Sequence, residues 1–182
     1  MEKKKLKIID MVYIAAFAAL MAVSEWITIP IPTIPFTLQI FAVFAALFTL
    51  GGKRGTFSII VYILLGLVGV PVFSGFKGGI SVILGTTGGY IAGFIFSGLV
   101  YWLLTSLLPK KLWVQIVSVA AGLLICYIFG TVWFIIAYSS SKGAVGIIAV
   151  LTWCVFPYII PDTIKITLAF LVSKALKKAL HI

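Results

Sequence analysis

Carboxylates are almost missing from this sequence: Glu2, Asp10, Glu25 and Asp162 are the four acidic side chains in 182 residues. Histidine occurs once, as His181, and cysteine twice, as Cys126 and Cys154. These residues cannot supply a His/Cys/carboxylate cluster with metal-ligand spacing. A Ser/His/Asp triad would have to use a histidine beside the C-terminus. The phosphate-binding pattern G-x-x-x-x-G-K-[ST] is also missing, because Gly52-Lys53 is followed by Arg54. The expectation is a protein that is not an enzyme, hydrolyses no nucleotide of its own and holds no cofactor or metal. Both cysteines lie inside apolar runs, where a thiol packs as a small hydrophobe, and no disulfide is expected.

What the chain has instead is hydrophobicity. Apolar residues make up 63% and charged residues 10%, with a mean hydropathy of +1.26, whereas soluble domains carry roughly 25% charged residues. A water-soluble enzyme, a nucleic-acid binder and a disordered tail are excluded. The reading is all-α: an integral membrane protein forming a single transmembrane domain over 1–182.

A spanning helix needs about 20 mostly apolar residues. Six runs qualify between polar punctuation, at 8–29, 37–51, 56–72, 83–108, 112–137 and 146–173. The second is short, and Pro30, Pro32 and Pro35 before it demand an extended entry rather than a continuing helix. Basic residues test the count, because short cytoplasmic loops are enriched in Lys and Arg. With the N-terminus inside, that side holds Lys3, Lys4, Lys5, Lys7, Lys53, Arg54, Lys110, Lys111, Lys174, Lys177 and Lys178, against Lys77 and Lys142 outside. Six transmembrane helices in one compact bundle with both termini cytoplasmic follow. The first run is read as helix 1 rather than a signal peptide, since it is too long and lacks a small-residue cleavage site.

The segment 66–93 carries Gly66, Gly69, Gly75, Gly78, Gly79, Gly85, Gly88, Gly89 and Gly93. Glycine permits left-handed backbone and close approach, which suits an ordered Gly-rich outer loop between helices 3 and 4. For Gly85–Gly93, substrate enclosure and tight helix packing through small residues are equally open.

Asp162 and Lys165 are the strongest signal in the chain. Each ionised side chain at a helix centre costs about 2.5 to 3.5 kcal/mol on the insertion scale, and a spacing of three puts both on one helix face. Pro157 and Pro161 should break or kink the preceding helix, with Pro161 able to take the first position of the next segment and Asp162 beside its exposed N–H groups. Intramembrane ionisable groups of this kind are candidates for function. Glu25, beside Trp26 near the outer end of helix 1, is expected to snorkel to the interface. Gln39 serves either a ligand or opened backbone near the prolines, and Tyr90 and Phe73 are candidates to stack on a ligand. Ala15, Ala18, Ala19 and Ala22 form a smooth stripe on helix 1 that would admit another helix closely.

These residues resemble the biotin-specific S components, the BioY family, of energy-coupling factor (ECF) transporters. The resemblance rests on Gly69-Val70-Pro71-Val72-Phe73-Ser74-Gly75-Phe76-Lys77-Gly78-Gly79, on Gly85-Thr86-Thr87-Gly88-Gly89-Tyr90-Ile91-Ala92-Gly93-Phe94 and on Pro157-Tyr158-Ile159-Ile160-Pro161-Asp162-Thr163-Ile164-Lys165, and extends over nearly the whole chain. It implies a six-helix protein of the prokaryotic plasma membrane that captures biotin from outside and works with a membrane T component and two cytoplasmic ATPases. It also implies an A-x-x-x-A docking surface for the T component, at Ala15 and Ala19 or one step on at Ala18 and Ala22. Thr86 stands where the family often has proline, and Phe76-Lys77 where a Gly-Asn type pair is common. Asp162 can accept from the ureido N–H groups of biotin, and Lys165 or Lys77 can meet its carbonyl or carboxylate through charge-assisted bonds. The expected substrate-binding residues are thus Asp162, Lys165, Tyr90, Lys77, Phe73, Thr86 and Gln39. The rival readings are an S component for another small vitamin and a non-transport membrane protein.

Overall fold

The structure, a computed structural model, describes residues 7–31 and 34–180. Glu2, Lys3, Lys4, Lys5, Pro32 and His181 lie outside the described residues. The order is α1 (Ile8–Trp26), β1 (Thr28–Ile29), β2 (Phe36–Thr37), α2 (Gln39–Leu67), α3 (Ile80–Leu84), α4 (Gly88–Leu107), α5 (Leu112–Lys142), α6 (Ile147–Cys154) and α7 (Phe156–Leu180). Among the described residues, five stretches are long and apolar enough to cross a membrane: α1, α2, α4, α5 and the α6–α7 pair.

Separate helices are expected at 37–51 and 56–72, and one residue, Gly51, parts them. α2 has 29 residues, but Gly51 inside it has φ 80° and ψ 171°, a left-handed region that glycine enters without steric cost. A continuous helix would hold Gln39 and Tyr62 about 35 Å apart at 1.5 Å per residue. Instead the Gln39 amide donates to the Tyr62 hydroxyl at 2.7 Å. The chain therefore folds back at Gly51, and the arms 39–50 and 52–67 run antiparallel. A Cβ on Gly55 would lie 2.9 Å from the Leu47 Cα, so the absence of a side chain there lets the arms touch. The first arm is only about 18 Å long, and the β1–β2 hairpin, pairing Thr28 with Thr37 and Ile29 with Phe36, lies before it as the prolines require.

The other boundaries shift for identifiable reasons. The run 83–108 divides, because Gly85 is extended between α3 and α4; its carbonyl accepts the Trp133 indole N–H at 2.9 Å. The run 146–173 breaks at Val155, with φ −123° and ψ −60°, and not at the prolines. Pro157 sits in the first turn of α7, where its missing N–H is not needed, and Pro161 lies inside α7. The expectation that Pro161 opens a helix, with Asp162 beside free N–H groups, is thereby corrected. Non-helical backbone at these depths requires protein cover, and Val155 is buried.

The core is built on α2. Val43, Phe44, Ala45, Leu47, Ile59 and Tyr62 are buried and pack with Phe17, Ala18 and Met21 of α1, Ile91 and Phe94 of α4, and Ala169 of α7. α4 and α5 meet along small residues. A Cβ on Gly89 would lie 2.2 Å from the Trp133 side chain, one on Gly93 3.0 Å from the Cys126 sulfur, and one on Gly130 2.2 Å from the Tyr90 ring. Close packing thus accounts for Gly89 and Gly93, while Gly85 borders a cavity. Outside this core, Leu103, Leu124, Ile128, Val132, Ile136, Leu168 and Leu171 are exposed. Apolar side chains turned outward from a helical bundle make this a multi-pass membrane protein.

The basic residues collect at one end. The Asp10 carboxylate accepts the Lys7 backbone N–H at 3.1 Å, capping α1, and its other oxygen pairs with Arg54 at 3.1 Å. This ties the start of α1 to the turn at Gly51. Lys110, Lys111 and Lys177 border a cavity beside the same turn.

Candidate functional site

At the other end, where α1 finishes and the first arm of α2 begins, a cavity of about 440 Å³ opens between the helices. Small-molecule sites typically measure about 300–1,000 Å³. All seven expected residues line it: Gln39, Phe73, Lys77, Thr86, Tyr90, Asp162 and Lys165.

Its charged floor comes from α7. The Lys165 ammonium donates to Asp162 Oδ1 at 2.9 Å, and both side chains are buried. Tyr127 of α5 donates its hydroxyl to Asp162 Oδ2 at 2.7 Å. Lys165 Nζ also lies 3.8 Å from the centroid of the Phe36 ring, a cation–π contact strengthened by desolvation. Phe36 is steadied by Tyr158, 6.2 Å away between ring centroids, whose hydroxyl donates to the Ile34 carbonyl. The pair is therefore held from three sides by α5, α7 and the hairpin.

The roof is the loop between α2 and α3. Phe73 and Lys77 exchange backbone hydrogen bonds of 2.9 and 3.2 Å, closing a tight turn in which Gly75 and Phe76 both have positive φ, 71° and 57°. The Trp26 indole holds this turn by donating to the Pro71 carbonyl at 2.9 Å and stacking on Phe76 at 5.1 Å. Thr28 and Ser74 share a further hydrogen bond at 3.3 Å. Both lysines line the cavity, but Lys77 is exposed whereas Lys165 is buried. Phe73 lines the cavity but its ring packs against Gly66 and edge-on against Tyr62, so it serves the core as well.

Glu25 corrects its own expectation. It does not snorkel: it is 6% exposed, lines the cavity, and its Oε2 has no hydrogen-bond partner. The insertion cost that marks Asp162 weighs equally on Glu25, whatever interfacial position the neighbouring Trp26 offers. Tyr127 and Tyr158 were also missed. An aromatic residue in an apolar helix carries no signal of its partner when that partner is 35 positions away.

The alanine stripe divides. Ala18 and Ala22 are buried in the core shared with α2, which removes them as a docking surface. Ala15 and Ala19 are exposed, one turn apart on the outer face of α1.

The BioY family profile matches residues 1–182. A biotin transporter BioY of Thermotoga maritima is 40% identical over 162 residues, covering 89% of this chain and 92% of that protein. A probable biotin transporter BioY of Pyrococcus horikoshii is 35% identical over 164 residues, covering 90% and 93%. The crystallised S-component for biotin from an ECF-type ABC transporter has the same fold, with a TM-score of 0.81 at 25% identity over 98% of this chain and 95% of that one. With a family match running from end to end and relatives of this closeness, the chain belongs to the BioY family.

Proposed function

We propose that this protein is the biotin-binding S component of an ECF-type vitamin importer, capturing extracellular biotin for ATP-driven import. The observation that carries this reading is the buried Asp162–Lys165 pair, held by Tyr127, in a cavity of small-molecule size, in a chain whose relatives are biotin transporters. In this reading Asp162 accepts from a ureido N–H of biotin and Lys165 donates to the ureido carbonyl. Gln39 and Glu25 supply further polar contacts, Tyr90 and Phe73 cover the apolar body, and Thr86 borders the valerate. Exposed Lys77 meets the carboxylate at the mouth. Closure of the loop 74–79 excludes water and strengthens each of these bonds.

Residues 1–182 act as one transmembrane substrate-binding unit of the prokaryotic plasma membrane. The fold-back at Gly51 supports six crossings, and the basic end containing Lys53, Arg54, Lys110 and Lys111 faces the cytoplasm. Energy comes from a membrane T component and two ATPases, because the chain has no phosphate-binding loop of its own; Ala15 and Ala19 form the docking surface. Calorimetric titration of the purified protein with biotin tests the substrate. Saturable binding of biotin, with no comparable effect of other vitamins on the melting temperature, is expected; stabilisation by another vitamin and not by biotin would overturn the assignment.

A further inference from the structure

A second cavity of about 440 Å³ lies at the basic end, bordered by the Gly51 turn, the end of α4, the start of α5 and Lys177 of α7. Its cations are Arg54, Lys110, Lys111 and Lys177, and no carboxylate lines it. The acids among the described residues are committed elsewhere: Asp10 pairs with Arg54, while Glu25 and Asp162 line the other cavity. Among the described residues, nothing neutralises the three lysines. On the inner wall Thr49 is 4% exposed, and its hydroxyl has no hydrogen-bond partner. Gly52 draws the turn against α4, since a Cβ there would lie 2.4 Å from the Trp102 Cα.

We propose that this cavity binds the phosphate headgroup of an anionic phospholipid. Lys110, Lys111 and Lys177 supply the counter-charge and the Thr49 hydroxyl supplies a buried donor to a phosphate oxygen. The start of α5 adds backbone N–H groups, with Lys111 at its N-cap position. The surroundings favour a lipid over a free anion. Leu107, Leu112 and Trp113 are exposed beside the lysines, at 73%, 55% and 50%, offering an apolar surface to acyl chains immediately outside the charged cavity. Basic pockets between helices are suited to anionic headgroups.

The test is thermal unfolding of the full-length, detergent-purified protein, without biotin, titrated with short-chain phosphatidylglycerol, short-chain phosphatidylcholine or sodium phosphate. Saturable stabilisation by phosphatidylglycerol alone, weakened by salt, is expected. Lys110→Gln/Lys111→Gln/Lys177→Gln should weaken it about a hundredfold, from about fivefold per lysine. Thr49→Val, which keeps the shape and removes the hydroxyl, should weaken it about three- to tenfold. Equal stabilisation by phosphatidylcholine, or an equal effect of free phosphate, overturns the proposal. So does unchanged phosphatidylglycerol affinity in both variants, including the case where the lysine variant instead loses assembly with a protein partner. Because biotin is absent throughout, the result is independent of the function proposed above.

Discussion

Replacing Lys165 by methionine separates the ligand-binding role of the α7 pair from a purely structural one. The substitution keeps the length of the side chain and removes the ammonium that donates to Asp162 at 2.9 Å and covers Phe36 at 3.8 Å. Asp162 is then left buried with one donor, Tyr127. Removing one member of a buried pair costs about 3–5 kcal/mol, so the ligand-free variant should melt well below the parent protein. Asp162→Asn/Lys165→Met removes both charges and should recover most of that loss. Biotin affinity should behave differently. Each single variant should bind about 10- to 150-fold more weakly, corresponding to one charge-assisted bond of about 1.5–3 kcal/mol. The double variant, stable again, should bind no better than the singles. Thermal unfolding without ligand, beside calorimetric titration with biotin on the same preparations, reads both quantities. Near-parental biotin affinity in the folded double variant would refute the assignment of this pair to the ligand.

Four further substitutions probe the site and the faces of α1. Glu25→Gln removes the charge of a buried carboxylate whose Oε2 has no hydrogen-bond partner and should raise the melting temperature of the ligand-free protein while weakening biotin binding; a loss of both would make Glu25 a structural residue. Gly130→Ala places a methyl group 2.2 Å from the Tyr90 ring, which should cost about 1–3 kcal/mol of stability and displace a cavity wall. Unchanged melting and unchanged biotin affinity would contradict the packing described. Ala19→Trp should block co-purification with the T component at parental biotin affinity, because a bulky ring prevents close helix approach, whereas Ala18→Trp should fail in folding or thermal stability. The same outcome for both variants would remove the distinction between the two faces of α1.

Composition and charge order alone determined that this chain lives in a bilayer, that it is all-α and which end gathers the lysines, because insertion costs act on each residue whatever it later touches. The same local cost singled out Asp162 and Lys165, and their spacing of three was enough to pair them. Tertiary structure decided what depends on long-range contact. The polar punctuation at Gly52, Lys53 and Arg54 already separates the runs 37–51 and 56–72, but only the fold puts the turn at the left-handed Gly51 and brings the two arms together, as the bond from Gln39 to Tyr62 demonstrates. Tyr127 reaches Asp162 only because α5 packs across the cavity, and Glu25 is buried only because the hairpin and the roof loop fold over the end of α1. Ala15 and Ala19 differ from Ala18 and Ala22 by a rotation of the helix, and the position of α2 chooses between them: the helix presents one pair to its neighbour and therefore turns the other outward.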